Sequence, residues 1–437
     1  MTEPTKPPLK AAGIGAYALG SLGTGLFSTV PAVLLLFYCT ETLNIPASLA
    51  AVVVFVPKIW SIVWDPFVGI WSDRTRTFMG RRTPFLLFGG LGLSAAFVAT
   101  FNTPDLDPSD AFLWILVTYF LLATLYSLFA VPYVAIPAEL GKTEGERSAL
   151  IAARMTFSSL GNLAGAAAGP LIVAYFGGGR AGYSAMSWAL GIFCLVALAG
   201  PIIVMRGREQ MSVPERTGRL LSQLTVAVRN RQFKFQSCSY FFQIGGSSAF
   251  VAMVPYLVVH VAGQSEGQIG IALGLMLAVA TFSASFWGWA GQRFGNRPSN
   301  IVALLLFALG LGGIGIFALA GASWLALLVV FATLGFAFSA TQVLPFVALA
   351  HLAHGASQSG TTGSEGAFAG TWTAIEKLGL ATGPMFAGVA LSLIGTDMAT
   401  GVPIYIAVVA PIMLIVAILP LLWVTESGGS PSSSDMK

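Results

Sequence analysis

The sequence predicts an all-α membrane protein with 12 transmembrane helices in two six-helix halves. Three observations carry this. Only 9% of the 437 residues are charged and 56% are hydrophobic, whereas a soluble domain carries about 25% charged residues. The apolar residues fall into 12 runs, each close to the ~20 residues that cross a bilayer as a helix. The basic residues alternate in step with those runs. So apolar a chain is not disordered, and its 50 glycines show no three-residue period, which excludes collagen.

The runs are placed at 12–40, 48–71, 84–102, 111–137, 148–176, 183–205, 234–262, 268–290, 300–320, 323–351, 366–394 and 403–424. They are long and lack alternating polarity, so helices are expected rather than barrel strands. The first 11 residues, MTEPTKPPLKA, are polar and proline-rich and do not read as a cleavable signal peptide. Cys39, Cys194 and Cys238 lie far apart without metal or redox spacing and are expected to pack.

Of 22 Lys and Arg, 18 fall at the termini or in even-numbered loops. By the positive-inside rule both termini then face the cytoplasm. The net charge of +4 reflects this topology, and no nucleic-acid partner is expected. The location expected is the inner (cytoplasmic) membrane, with the lipid bilayer as surroundings and a monomer as the working unit.

The longest polar, basic connection divides the chain. Expected units are an N-terminal half (1–205), a cytoplasmic linker (206–233), a C-terminal half (234–424) and a cytoplasmic tail (425–437). A weak repeat agrees. GIWSDRTRTFMGRRTP (69–84) follows span 2, and GWAGQRFGNRP (288–298) follows span 8. Parallel repeats of this kind mark carriers whose substrate sits between the halves.

Gly69, Asp73, Arg74, Gly80, Arg81 and Arg82 resemble the loop signature of the major facilitator superfamily. The longer loop, preceded by WDPFVG (64–69), resembles the glycoside-pentoside-hexuronide:cation symporters. Glu146 and Arg147, Arg154, and SEGAFAGTWTAIEKLG (364–379) resemble the same family. The resemblance implies the major facilitator fold and cation-coupled symport of a sugar, glycoside or uronide by alternating access. The coupling ion would be H⁺ or Na⁺; no cofactor, resident metal or enzymatic activity is expected.

An ionisable side chain in mid-membrane costs a few kcal/mol unless paired or hydrated. Lys58, Asp65, Arg154, Glu376 and Lys377 are such residues. Asp65 and Ser61 share a helix face with Lys58. Their oxygens suit Na⁺, while a lone desolvated carboxylate suits a proton. The plain alternative is a structural partner for a buried cation. By the resemblance, Asp65 matches the second of two cation-binding aspartates. Ser61 stands in the place of the first, Trp64 in that of a nearby asparagine, and Ser127 in that of a threonine. Lys377 matches a lysine near the cation site. Glu376 points about 100° away from it.

Arg154 matches a family arginine beside the sugar. The alternative is a bridge to an acid of the N-terminal half. The family's sugar-binding acids and tryptophan fall on Gly25, Ala130 and Val134, and a neighbouring lysine on Thr24. A melibiose-type galactoside pocket is therefore not expected. A uronide fits better, and a lysolipid or other amphiphile is the leading alternative. Tyr126, Tyr133, Gln243, Gln342 and Trp372 offer bonding or stacking groups, against a packing role for each. Asp73, Arg74, Arg81, Arg82, Glu146 and Arg147 are expected to form a cytoplasmic gate, or topology alone. His260, His351 and His354 lack zinc-site company and read as interface residues. No phosphate-binding loop appears. A non-transporting receptor or assembly factor is a further alternative, which the retained charges disfavour.

Overall fold

The computed structural model describes residues 11–141, 143–205, 230–358 and 364–424. The expected linker 206–233 lies mostly outside these residues, and the tail 425–437 and the His354 side chain lie outside them. Among the described residues, 12 helices are long and apolar enough to cross a membrane. They are α1 (Ala11–Thr42), α2 (Ala47–Arg74), α3 (Thr83–Phe101), α4 (Pro108–Leu140), α5 (Glu144–Tyr175), α6 (Gly179–Met205), α7 (Arg231–Val261), α8 (Glu266–Phe294), α9 (Asn296–Leu319), α10 (Trp324–Ala353), α11 (Phe368–Ile394) and α12 (Met398–Leu421). The protein is thus an all-helical, multi-pass membrane protein.

Local chemistry explains several ends. Thr143, Asn230 and Asp397 each accept a backbone N–H of the first turn of α5, α7 and α12, satisfying a donor that a helix start leaves free. Both α1 and α7 finish in a π-turn, at Tyr38–Thr42 and Leu257–Val261. The motif glycine Gly80 has φ +100°, a conformation that side chains disfavour, which accounts for glycine in the α2–α3 loop.

The packing repeats itself. In one half α1 lies against α5 and α6, α3 against α4 and α6, and α2 against α4. In the other α7 lies against α11 and α12, α9 against α10 and α12, and α8 against α10. Between the halves α2 meets α11, α5 meets α8, and α1 meets α7. The first two interfaces exchange under the same repeat, which is what a parallel duplication requires.

Small residues allow these approaches. Gly161 on α5 backs onto the Leu22 carbonyl of α1, where any Cβ would collide. At the side opposite the α1 start, here called distal, Gly388 of α11 faces Ala51 of α2, and Gly270 of α8 faces the Ala167 carbonyl of α5. Cys39 and Cys194 are buried, but Cys238 is exposed, so the packing role expected for it does not apply.

Candidate substrate and cation site

Asp65 and Lys377 meet across the two halves. Lys377 Nζ on α11 donates to Asp65 Oδ2 on α2, and both side chains are 22% exposed. The other oxygen, Asp65 Oδ1, is buried and has no hydrogen-bond partner among the described residues. Ser61 donates to the Lys58 carbonyl at 2.8 Å, so its proton is spent on its own helix. Ser127 is fully buried with an unpartnered Oγ, and the Trp64 indole nitrogen is likewise unpartnered. Of the expected cation set, the structure joins Asp65 to Lys377 alone.

Arg154 on α5 forms no ion pair among the described residues. Its Nε is buried without a partner and Nη2 reaches the Met155 sulfur at 3.7 Å. The expected alternative, a bridge to an acid of the same half, does not occur among the described residues. Its charge instead falls on Tyr17, Tyr126 and Tyr133. Tyr126 also stands in the field of Asp65 and Glu376.

Four expected binding groups have partners elsewhere. Trp372 is 1% exposed. It stacks on Tyr240 with centroids 4.3 Å apart and touches Phe233 and Phe346. Its place is a hydrophobic cluster, where a flat aromatic contributes through area and stacking. Gln243 is fully buried, and donates to Ser239 at 2.8 Å, which donates to the Ala417 carbonyl at 2.7 Å. That chain binds α7 to α12. Gln342 is exposed and turns to Thr341 at 3.5 Å. Tyr133 bonds Ser21 at 2.8 Å and the Tyr17 carbonyl at 2.9 Å. Glu376 lies near Tyr240, whose hydroxyl completes no hydrogen bond among the described residues.

Gly25, in the place of a family acid, has no room for one. A Cβ there would lie 2.7 Å from the Ser158 carbonyl and 3.0 Å from Asn162 Oδ1. The close approach of α1 to α5 accounts for glycine at this position.

Among the described residues, the basic loop residues reach partners within the N-terminal half. Glu139, not singled out in the sequence, is their hub: Arg81 bonds it, and Arg82 Nε lies 3.0 Å from it. Arg82 also reaches Asp73 at 3.5 Å and the Pro132 carbonyl at 3.2 Å. Glu146 contributes the N–H that Thr143 caps, and Arg147 donates to the Gly141 carbonyl at 2.9 Å. Arg74 is exposed at the α2 end. These bonds tie the α2–α3 loop to the end of α4. They brace the N-terminal half. The signal that could have found Glu139 is its position in PAEL (137–140), an acid just past a span and opposite two arginines.

On the distal side, His260 lies 2.9 Å from Glu41, and Thr40 bonds the Tyr256 hydroxyl at 2.6 Å. Both bonds join the two π-turns across the halves. The expectation that His260 lacks an acidic neighbour is corrected by Glu41.

Residues 16–425 match the family model described as MFS/sugar transport protein. The chain is 30% identical over 190 residues to a putative glycoside/cation symporter, YagG, of Escherichia coli (strain K12), covering 43% of this chain and 40% of that protein. It is 31% identical over 157 residues to sodium-dependent lysophosphatidylcholine symporter 1 of Mus musculus, covering 35% and 29%. The matched stretch is therefore less than half the length of these relatives. A bacterial homolog of the human lysosomal transporter Spinster, in an inward-facing and occupied conformation, superposes with a TM-score of 0.72 at 15% identity. It covers 96% of this chain and 97% of that one, a likeness of fold.

Proposed function

The chain belongs to the family of MFS/sugar transport proteins, and on that premise we propose that it is a cation-coupled symporter. Its family is one of transporters, not enzymes. The solute is a sugar, glycoside or uronide, carried by alternating access between the halves. The carrier is a monomer in the inner membrane with both termini cytoplasmic and a cytoplasmic linker between its halves.

The observation that supports this most is the Asp65–Lys377 pair across the α2–α11 interface. A carboxylate held by an ammonium of the other half cannot take a cation without loosening that contact. H⁺ or Na⁺ arriving at Asp65 weakens the attraction to Lys377. Ion binding and the movement of the halves then share one free energy, and the solute that favours the same state tightens the ion in return. Ser61 and Ser127 lie on the elements nearest to complete an oxygen set for Na⁺.

Arg154 supports the solute end. A guanidinium without a carboxylate donates paired hydrogen bonds to a carboxylate or vicinal hydroxyls. With no acid at Gly25, this favours a uronide over a neutral galactoside.

A second reading is favoured by one feature. An apolar groove of about 310 Å³ lies between α7 and α11, lined by Phe233, Phe241, Ile375 and Leu378, with Lys234 at one end. It suits an acyl chain, and a lysolipid would be the cargo. Uptake into proteoliposomes decides between them. Accumulation of a labelled glucuronide under a Na⁺ or pH gradient, unaffected by lysolipids, upholds the first reading. Uptake of lysolipid alone overturns it.

A further inference from the structure

Pro384 lies inside α11 and has no N–H. The carbonyl four residues earlier, on Leu380, thereby loses its helical donor. Lys58 of α2 fills that gap: its Nζ donates to Leu380 O at 3.1 Å, across the two halves. No ion pair of Lys58 occurs among the described residues. An ammonium within the membrane and a carbonyl without a donor are each costly alone. Here each answers the other.

The bond has a definite place. Along α2 the order from the distal side is Ala51, Lys58, Asp65. Along α11 the facing order is Gly388, Leu380, Lys377. Lys58–Leu380 is the middle rung of three. The outer rung is a bare contact of small residues, which two helices can slide along. The inner rung is the ion pair read above as the coupling site. The middle rung is the directional bond that stops sliding between them.

We infer that Lys58 is a positioning residue: through the carbonyl released by Pro384 it fixes the register of α2 on α11, so that Lys377 stands at Asp65. This rests on the coupling role proposed for Asp65. It assigns work to two residues outside the cation set, and it makes a proline in α11 part of the cation response.

The test is a double-mutant cycle. Lys58→Met removes the donor. Pro384→Ala supplies a backbone N–H that takes up the Leu380 carbonyl within α11. The two changes disengage the same bond by different routes. Each is expected to shift the cation concentration for half-maximal uptake by about ten-fold, leaving the half-saturating solute concentration at full cation within about two-fold. Lys58→Met introduced into Pro384→Ala should add nothing, and Lys58→Arg should restore the wild-type cation response. Additive shifts, or a Lys58→Met carrier with unaltered cation dependence, overturn the inference. The same cycle is read on the melting temperature of the purified protein, which needs no transport. If no solute is carried but the melting shifts are non-additive, the register tie stands and the coupling reading falls. Additive melting shifts overturn the tie itself.

Discussion

Lys377 donates to Asp65 from a helix 312 positions further along the chain, and the pair spans the interface of the two halves. Removing the negative charge while keeping the shape separates coupling from folding. Asp65→Asn is expected to abolish uphill accumulation and to retain solute exchange down its gradient. Uptake by proteoliposomes with and without an imposed ion gradient measures both. Gradient-driven accumulation by the variant would refute the assignment. Lys377→Met should instead leave Asp65 unbalanced and make ion occupancy easier to saturate.

Arg154 has no carboxylate of its own among the described residues. Its charge-assisted bonds to a solute are worth about 1.5–3 kcal/mol. Arg154→Ala should therefore raise the half-saturating concentration of a uronide by roughly ten- to hundred-fold. Arg154→Lys should recover part of this, because a point charge lacks the paired geometry. A neutral glycoside, if carried, should lose less. Competition binding to the purified protein checks the order of the wild type and the two variants, and equal losses for charged and neutral solutes would exclude an anion site.

Gly25 gives a prediction from packing alone. A Cβ would lie 2.7 Å from the Ser158 carbonyl, so Gly25→Asp cannot rebuild the family's acid in place. Overpacking and an unpaired buried charge should together cost about 2 kcal/mol or more. Thermal unfolding in detergent should fall by several degrees, with no gain of galactoside binding. Improved binding by this variant would show that α1 and α5 separate more than the contact suggests.

The twelve spans were legible because the bilayer sets a length and a polarity that each run must meet. Alternation of charge then confirmed their number without reference to packing. Asp65 and Lys377 were legible for a related reason: few ionisable groups survive in mid-membrane, so each one carries information. For Trp372 and Gln243 binding and packing stayed open, because the sequence gives the type of a side chain and not its facing. Trp372 has Tyr240 as its stacking partner, 132 positions away. Glu139 escaped notice since an acid beyond a span is ordinary until two arginines fold onto it. The carbonyl released by Pro384 was readable in principle, but Lys58 as its donor was not.

Glu139 should matter more to stability than to transport. It is 8% exposed and binds Arg81 and Arg82, themselves 13% and 7% exposed. Removing one member of a buried ionic group costs about 3–5 kcal/mol. Arg82 keeps Asp73 and the Pro132 carbonyl, which places Glu139→Gln near the lower end, about 3 kcal/mol. A lower melting temperature with an unchanged cation response is the expected pattern. A changed cation response at constant stability would instead make this cluster part of the gate.

The two distal bonds, Glu41–His260 and Thr40–Tyr256, close the ends of α1 and α7 on one another. Each is worth about 1 kcal/mol net, so breaking one should shift the population of distal-open molecules by roughly five-fold. Cys39 provides a native probe: it is fully buried and adjacent to Thr40. In a background carrying Cys238→Ser, a membrane-impermeant thiol reagent should label Cys39 several-fold faster after His260→Ala or Glu41→Gln. Tyr256→Phe should do the same by the other bond. Because the two bonds close one interface, combining Tyr256→Phe with His260→Ala should raise labelling by about the product of the single effects. Labelling that stays at the wild-type rate in all of these variants would mean that the glycine contacts at Gly388 and Gly270 hold the distal side shut without help from either bond.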